Sequence, residues 1–148
     1  MVAEIVTRAA ALSCLLLIAS TARAEPIPSG AIQVIDGDTI SARGQTIRLV
    51  GFDAPEAGMN AQCGAERTLA ARATVKLRQL VAGGGLDLSL VRCSCPAGTE
   101  GTPACNHGRA CGVLKAAGKD VAELLIADGL AKPFHCSRNR CPKRQPWC

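Results

Sequence analysis

The sequence predicts an α+β fold: a small closed or partly closed β-barrel with helices packed on it, stapled by disulfides. Three observations lead there. Short β-rich runs broken by turn dipeptides fill the first third of the exported region, and the hydrophobic period then switches from two to about 3.6. Nine cysteines stand in a chain of 148 residues.

Residues 1–24 read as a secretory signal. Arg8 precedes the apolar run AAALSCLLLIAS, and Ala22 and Ala24 supply the small residues that signal peptidase prefers. At about 12 residues that run falls short of the roughly 20 that a spanning helix needs, which argues against an uncleaved anchor. Most of the run follows Cys14, which argues against a lipoprotein. One domain is then expected over 25–134, followed by a basic, cysteine-rich tail over 135–148.

AIQVI, TISA and QTIRLVGF are separated by DGD and RGQ, and so predict three strands joined by tight turns. Leu69, Ala73, Leu77 and Leu80 then recur every third or fourth position among charged residues, predicting an amphipathic helix over 65–81. Gly83, Gly84 and Gly85 stop it. LDLSLVR alternates as a half-buried strand does, and ACGVLKAAGK reads as a strand running into a turn. Asp120 and Glu123 form a capping box opening VAELLIAD, which Gly129 closes. The expected order is βββ-α-ββ-α.

Of the nine cysteines, Cys14 leaves with the signal, so eight remain: Cys63, Cys93, Cys95, Cys105, Cys111, Cys136, Cys141 and Cys148. An even, dense set in a small exported domain is expected to form a disulfide framework, with roughly a hundred pairings open. The rival is zinc on CSC, CNHGRAC and His107, but the spacing fits no standard finger. The formal charge is +5, and five basic residues from Lys132 onward (Lys132, Arg138, Arg140, Lys143, Arg144) have no acid among them. Such a tail suits a polyanion, with ordinary solvated charge as the alternative.

Asp36, Asp38, Asp53 and Glu56 all sit at strand ends or in turns. Gathered in one pocket they would repel unless a cation joined them, and hard carboxylate and carbonyl oxygens suit Ca²⁺ or Mg²⁺. Arg48 inside a strand and Arg109 at the start of another are costly there unless matched to an anion, of which phosphate is the commonest. A metal and two arginines around one phosphate is what phosphodiester cleavage requires, with a spare carboxylate to orient and deprotonate water.

VIDGDTI, IRLVGFDAPE, HGRACGVL and VAELLIADGLAKPF, in that order, resemble the successive blocks of the thermonuclease family, the staphylococcal-nuclease-like domain. The match runs with gaps from about Ala31 to Phe134, and CGAER resembles the family's helix start. The resemblance implies a five-stranded OB-type barrel and Ca²⁺-dependent hydrolysis of DNA and RNA. It places Asp38 and Asp53 as metal ligands with the carbonyl of Ala54, Glu56 as the residue acting on water, and Arg48 and Arg109 as phosphate contacts. Asp36 is implied as an electrostatic and hydrogen-bonding neighbour. Ala54 stands where the family commonly has threonine, His107 where it has tyrosine, and Phe134 with His135 replaces a tyrosine-bearing stretch. With no tyrosine and two phenylalanines in the chain, base-stacking contacts are expected to be sparse. The expected protein is a secreted or periplasmic monomer with nucleic acid as substrate and no membrane contact after signal cleavage.

Three other readings compete. DGD alone is turn chemistry. VIDGDT also satisfies the aspartate-x-aspartate-x-threonine pattern of haloacid-dehalogenase-like phosphatases, which require alternating strands and helices where strands are expected here. An OB-type barrel with a basic tail can also bind nucleic acid without cutting it.

Overall fold

The computed structural model describes residues 24–137 and 139–148, so the expected signal segment, Ala24 apart, lies outside the described residues. A hairpin meander is built first. β2 (Ile32–Val34) pairs antiparallel with β3 (Thr39–Ala42), and β3 with β4 (Gln45–Leu49). The DGD turn joins β2 to β3, with the Asp36 carboxylate accepting from the Asp38 backbone N–H at 3.0 Å. Arg43 and Gly44, at φ 54° and 74°, make the turn between β3 and β4. Two consecutive positive-φ residues match the right-handed twist of a hairpin.

The run expected as one strand over 45–52 is two. Gly51 takes φ 96°, a value glycine adopts without a Cβ clash, and the chain turns out of the sheet there. β5 (Gly51–Asp53) pairs instead with β9 (Lys132–Phe134), antiparallel. This break places Asp53, Ala54 and Glu56 across from the meander and not along it.

α1 (Gly64–Ala82) buries Glu66, Ala70, Ala73, Leu77 and Val81. Leu69 and Leu80, expected on the buried stripe, flank it half-buried. Ala70 and Ala73 are both buried, and Ala73 faces the DGD turn. At Gly37 a Cβ would lie 2.9 Å from both the Ala54 and Ala73 Cβ atoms, so no side chain fits between the two acids without moving the helix or the β5 segment.

β6 (Leu86–Val91) and β7 (Ala110–Ala116) form an antiparallel pair, and β7 lies parallel to β4 in the register Ile47 to Ala110, Arg48 to Cys111 and Leu49 to Gly112. β1 (Glu25–Ile27), not anticipated from the sequence, adds to β6, and β8 (Lys119–Asp120) to β7. The order β1-β6-β7-β4-β3-β2 curls into a half-barrel over the two helices. α2 (Val121–Ala127) is capped at Asp120, whose carboxylate accepts from the Ala122 N–H at 2.8 Å, but Glu123 does not return the reciprocal bond of the expected capping box. The core runs through Ile40, Ile47, Leu49, Phe52, Leu77, Leu88, Leu114 and Leu125. No described helix is long and apolar enough to cross a membrane.

The eight cysteines form four disulfides: Cys63–Cys148, Cys93–Cys111, Cys95–Cys105 and Cys136–Cys141. Every thiolate that the zinc alternative required is engaged in one of them. The tail is tied at its last residue to the start of α1, a closure spanning 85 residues, and Lys132 stands 4.3 Å over the Trp147 ring.

Candidate phosphodiester site

The DGD turn directs its two acids differently. Asp36 is spent on the turn, whereas Asp38 is buried and faces inward. This hairpin is antiparallel, not the parallel strand and helix that a haloacid-dehalogenase-like phosphatase requires. Burial pushes the Asp38 carboxyl up to about 6; the Arg48 guanidinium opposes that rise, Asp36 adds to it, and hydrogen bonds from the Thr39 hydroxyl and the Ala54 N–H oppose it further.

Asp53 ends β5 at 2% exposure, beside Asp38. Arg48 Nη2 sits between them, 3.1 Å from Asp38 Oδ2 and 3.4 Å from Asp53 Oδ1. Arg109 approaches from β7's leading end. Its Nη1 donates to Thr39 Oγ1 at 3.3 Å, and that hydroxyl donates to Asp38 Oδ1 at 3.0 Å. No carboxylate of the described residues forms an ion pair with Arg109. Its guanidinium is instead oriented by Asn106, through the backbone carbonyl at 3.1 Å and the side-chain oxygen at 2.9 Å. Asn106 and His107 hold φ of 50° and 57°, a cost the surrounding structure must offset. Asn106 follows directly on Cys105, which is bridged to Cys95, and its backbone and side-chain oxygens both accept from Arg109.

Glu56 is half-exposed at the mouth of the cleft. Its backbone N–H donates to Glu66 Oε1 at 3.0 Å, while Glu66 Oε2 accepts from the Gln62 N–H at 2.6 Å. Glu66 thus fixes the loop that carries Glu56 to the first turn of α1. These hydrogen bonds hold the Glu66 carboxyl below its ordinary value against its burial, the Gln62 bond most strongly. A lowered carboxyl pKa means that the folded state binds fewer protons than the unfolded chain. The stabilisation is therefore complete above the ordinary value of 4.5 and is lost as pH falls through the folded value. Glu66→Gln is expected to lower the urea midpoint at pH 7, with the gap to the parent narrowing toward pH 3. A gap that stays constant with pH would contradict this assignment.

The cleft holds about 630 Å³ and is lined by Arg48, Asp53, Glu56, Arg109, Phe134 and Arg144, among others. Asp53, Glu56, Arg48 and Arg109 thus line one cleft, and Asp38 joins them through Arg48 and the Ala54 carbonyl through Arg144. His107 is exposed at the rim, and His135 is exposed next to Gly51. Two hard carboxylates and a carbonyl suit an oxygen-seeking divalent cation whose remaining positions water fills. Among the described residues no three acidic, His or Cys side chains form a preformed cage; the positive charge now at the acids is carried by guanidinium groups.

One of these guanidiniums, Arg144, comes from the tail, where the sequence shows only a general basic charge. Its Nε lies 2.9 Å from Asp53 Oδ1, its Nη2 donates to the Ala54 carbonyl at 3.2 Å, and its Nη1 pairs with Glu56 Oε1. Partial burial works against that charge, but the bonds to Asp53 and Glu56 raise the Arg144 pKa above its ordinary value. Glu66 and Asn106 are positioning residues that the sequence does not reveal either. CGAER points to a helix start, but nothing local in the sequence links Glu66 to the loop it orients; Asn106 lies only three residues before Arg109.

No protein-family model matches the chain, and no curated protein matches it significantly.

Proposed function

We propose that the chain is a secreted or periplasmic Ca²⁺-dependent nuclease of the thermonuclease family, hydrolysing phosphodiester bonds of DNA or RNA. In this reading β2, β3, β4, β6 and β7 supply a five-stranded OB-type barrel, and the protein acts as a monomer. One observation carries it: Asp38, Asp53, the Ala54 carbonyl and Glu56, from two separate turns, come together beside one cleft with Arg48 between the aspartates. Four disulfides support export to an oxidising compartment.

Asp38, Asp53 and the Ala54 carbonyl would hold the calcium ion. When bound, the ion supplies electrostatic stabilisation of the phosphoryl oxygens. Glu56 accepts a proton from the attacking water and aims it at phosphorus, in a position set by the Glu66 anchor. Arg109, unpaired with any carboxylate of the described residues and already oriented by Asn106, donates to a non-bridging oxygen as negative charge gathers there. Arg48 does the same from the β4 side while neutralising the two aspartates.

The Arg144–Glu56 ion pair favours a second reading, a non-catalytic OB-type nucleic-acid-binding module in which Glu56 has no free role. Plasmid digestion by the refolded, oxidised protein separates the two. Cleavage with calcium that stops on chelation is the expected result; retained binding with no cleavage would select the binding module.

A further inference from the structure

The tail does more than add charge. Residues 136–148 carry two disulfides, one closing a short loop at Cys136–Cys141 and the other fastening Cys148 to Cys63 at the N-terminus of α1. Alongside them Lys132 donates to the Pro146 carbonyl at 2.6 Å and covers the Trp147 ring, whose Nε1 is buried without a partner among the described residues. This clamp delivers Arg144, alone among the tail's described basic residues, to the acids. Its contacts are Asp53, the Ala54 carbonyl and Glu56, two proposed cation ligands and the proposed base.

Arg144 competes with a divalent ion for Asp53 and the Ala54 carbonyl, whereas Arg48 bridges Asp38 and Asp53 from the β4 side. A divalent ion at Asp53 and the Ala54 carbonyl would lie against a guanidinium already within hydrogen-bond distance of both, and like charges at such range repel strongly in a partly buried site. We infer that the C-terminal tail is an intramolecular latch, in which Arg144 occupies the Asp53 and Ala54 side of the divalent-cation site and must be displaced before calcium can bind and Glu56 can act. The inference rests on the proposed metal site. In the latched state Glu56 is engaged as an ion-pair partner, and the cleft is closed to a phosphate from that side. Because the tail is held at Cys148, loss of the Cys63–Cys148 bond lengthens its reach and favours the open state.

Calorimetric titration of CaCl₂ into the oxidised full chain tests this directly, with the parent, Arg144→Ala, and Arg140→Ala as a control for tail charge. Arg144→Ala is expected to bind calcium about tenfold more tightly than the parent, equivalent to about 1.4 kcal/mol. Arg140→Ala is expected to stay close to the parent. The chain's single tryptophan gives a second readout: calcium should change Trp147 emission in the parent as the tail shifts, and much less in Arg144→Ala. Should Arg144→Ala fold poorly, the Cys63→Ser/Cys148→Ser pair replaces it, with the same tightening expected. Equal or weaker calcium binding on release of the tail overturns the latch and leaves the metal site standing. Absence of calcium binding in every variant overturns both.

Discussion

Replacing Glu56 by Gln, or Arg109 by Ala, is expected to lower kcat for nucleic-acid cleavage by a factor on the order of 100 or more, with far-ultraviolet dichroism unchanged. Neither side chain belongs to the core cluster. Glu56 is half-exposed, and the contact that fixes its loop runs through its backbone N–H to Glu66, which the Glu56→Gln variant retains. The substitution keeps the size of the side chain and removes its capacity to take a proton, together with its ion pair to the exposed tail residue Arg144. Arg109 makes its hydrogen bonds to Asn106 and Thr39 at the cleft's edge, and their loss costs far less than a core cavity would. A guanidinium aimed where phosphoryl charge develops is worth several kcal/mol only in the transition state. Loss of dichroism in both variants together would show that these residues hold the fold instead.

Phe52→Ala is expected to destabilise the protein by about 3 to 5 kcal/mol, read as a lowered urea midpoint. Phe52 is 1% exposed and sits on β5, a three-residue strand that leaves the main sheet at Gly51 and is held by β9. Its ring is therefore what anchors the β5 segment to the core, while the next residue, Asp53, turns to the acid cluster. The two functions are adjacent in sequence because a strand points successive side chains to opposite faces. A cost under about 1 kcal/mol would mean that the segment is held by its disulfide-tied neighbours and not by this burial.

Much of the scaffold was legible because it is written in local patterns. The period-two runs over β2, β3 and β6, the helical spacing over α1, and the Asp120 cap all emerged where expected. The strand pair β5–β9 was not legible, because the decisive feature is a single glycine at φ 96° inside an otherwise continuous β-like run. β1 escaped for a related reason: three residues containing a proline carry no periodicity, and only the exposed edge of β6 gives them a place. Cysteine count indicated a framework, whereas the pairing depended on contacts between distant segments such as Cys63 and Cys148.

The candidate site divides along the same line. Asp38, Asp53, Glu56, Arg48 and Arg109 stood out as polar residues in places where folding alone does not call for them. The structure lines one cleft with Asp53, Glu56, Arg48 and Arg109 and joins Asp38 to it through Arg48, while Asp36 holds the turn and stays an electrostatic neighbour of Asp38. What stayed hidden were residues that act at long range. Glu66 is 10 positions from the backbone it holds, and Arg144 is 91 from Asp53. A basic residue in a polar, proline-containing tail looks like any other until its tether places it.

The acids beside this cleft are proposed to capture a divalent ion, so that a phosphodiester is gripped between it and two guanidinium groups. The most direct measurement is an anomalous difference map from crystals of the oxidised protein grown with calcium and a dinucleotide carrying a non-hydrolysable phosphonate linkage. A calcium peak ringed by Asp38, Asp53 and the Ala54 carbonyl is expected, with the phosphonate within reach of Arg48 and Arg109 and with Arg144 withdrawn. Density showing Arg144 still paired with Asp53 and Glu56, with calcium and the phosphonate bound elsewhere or not at all, would contradict this.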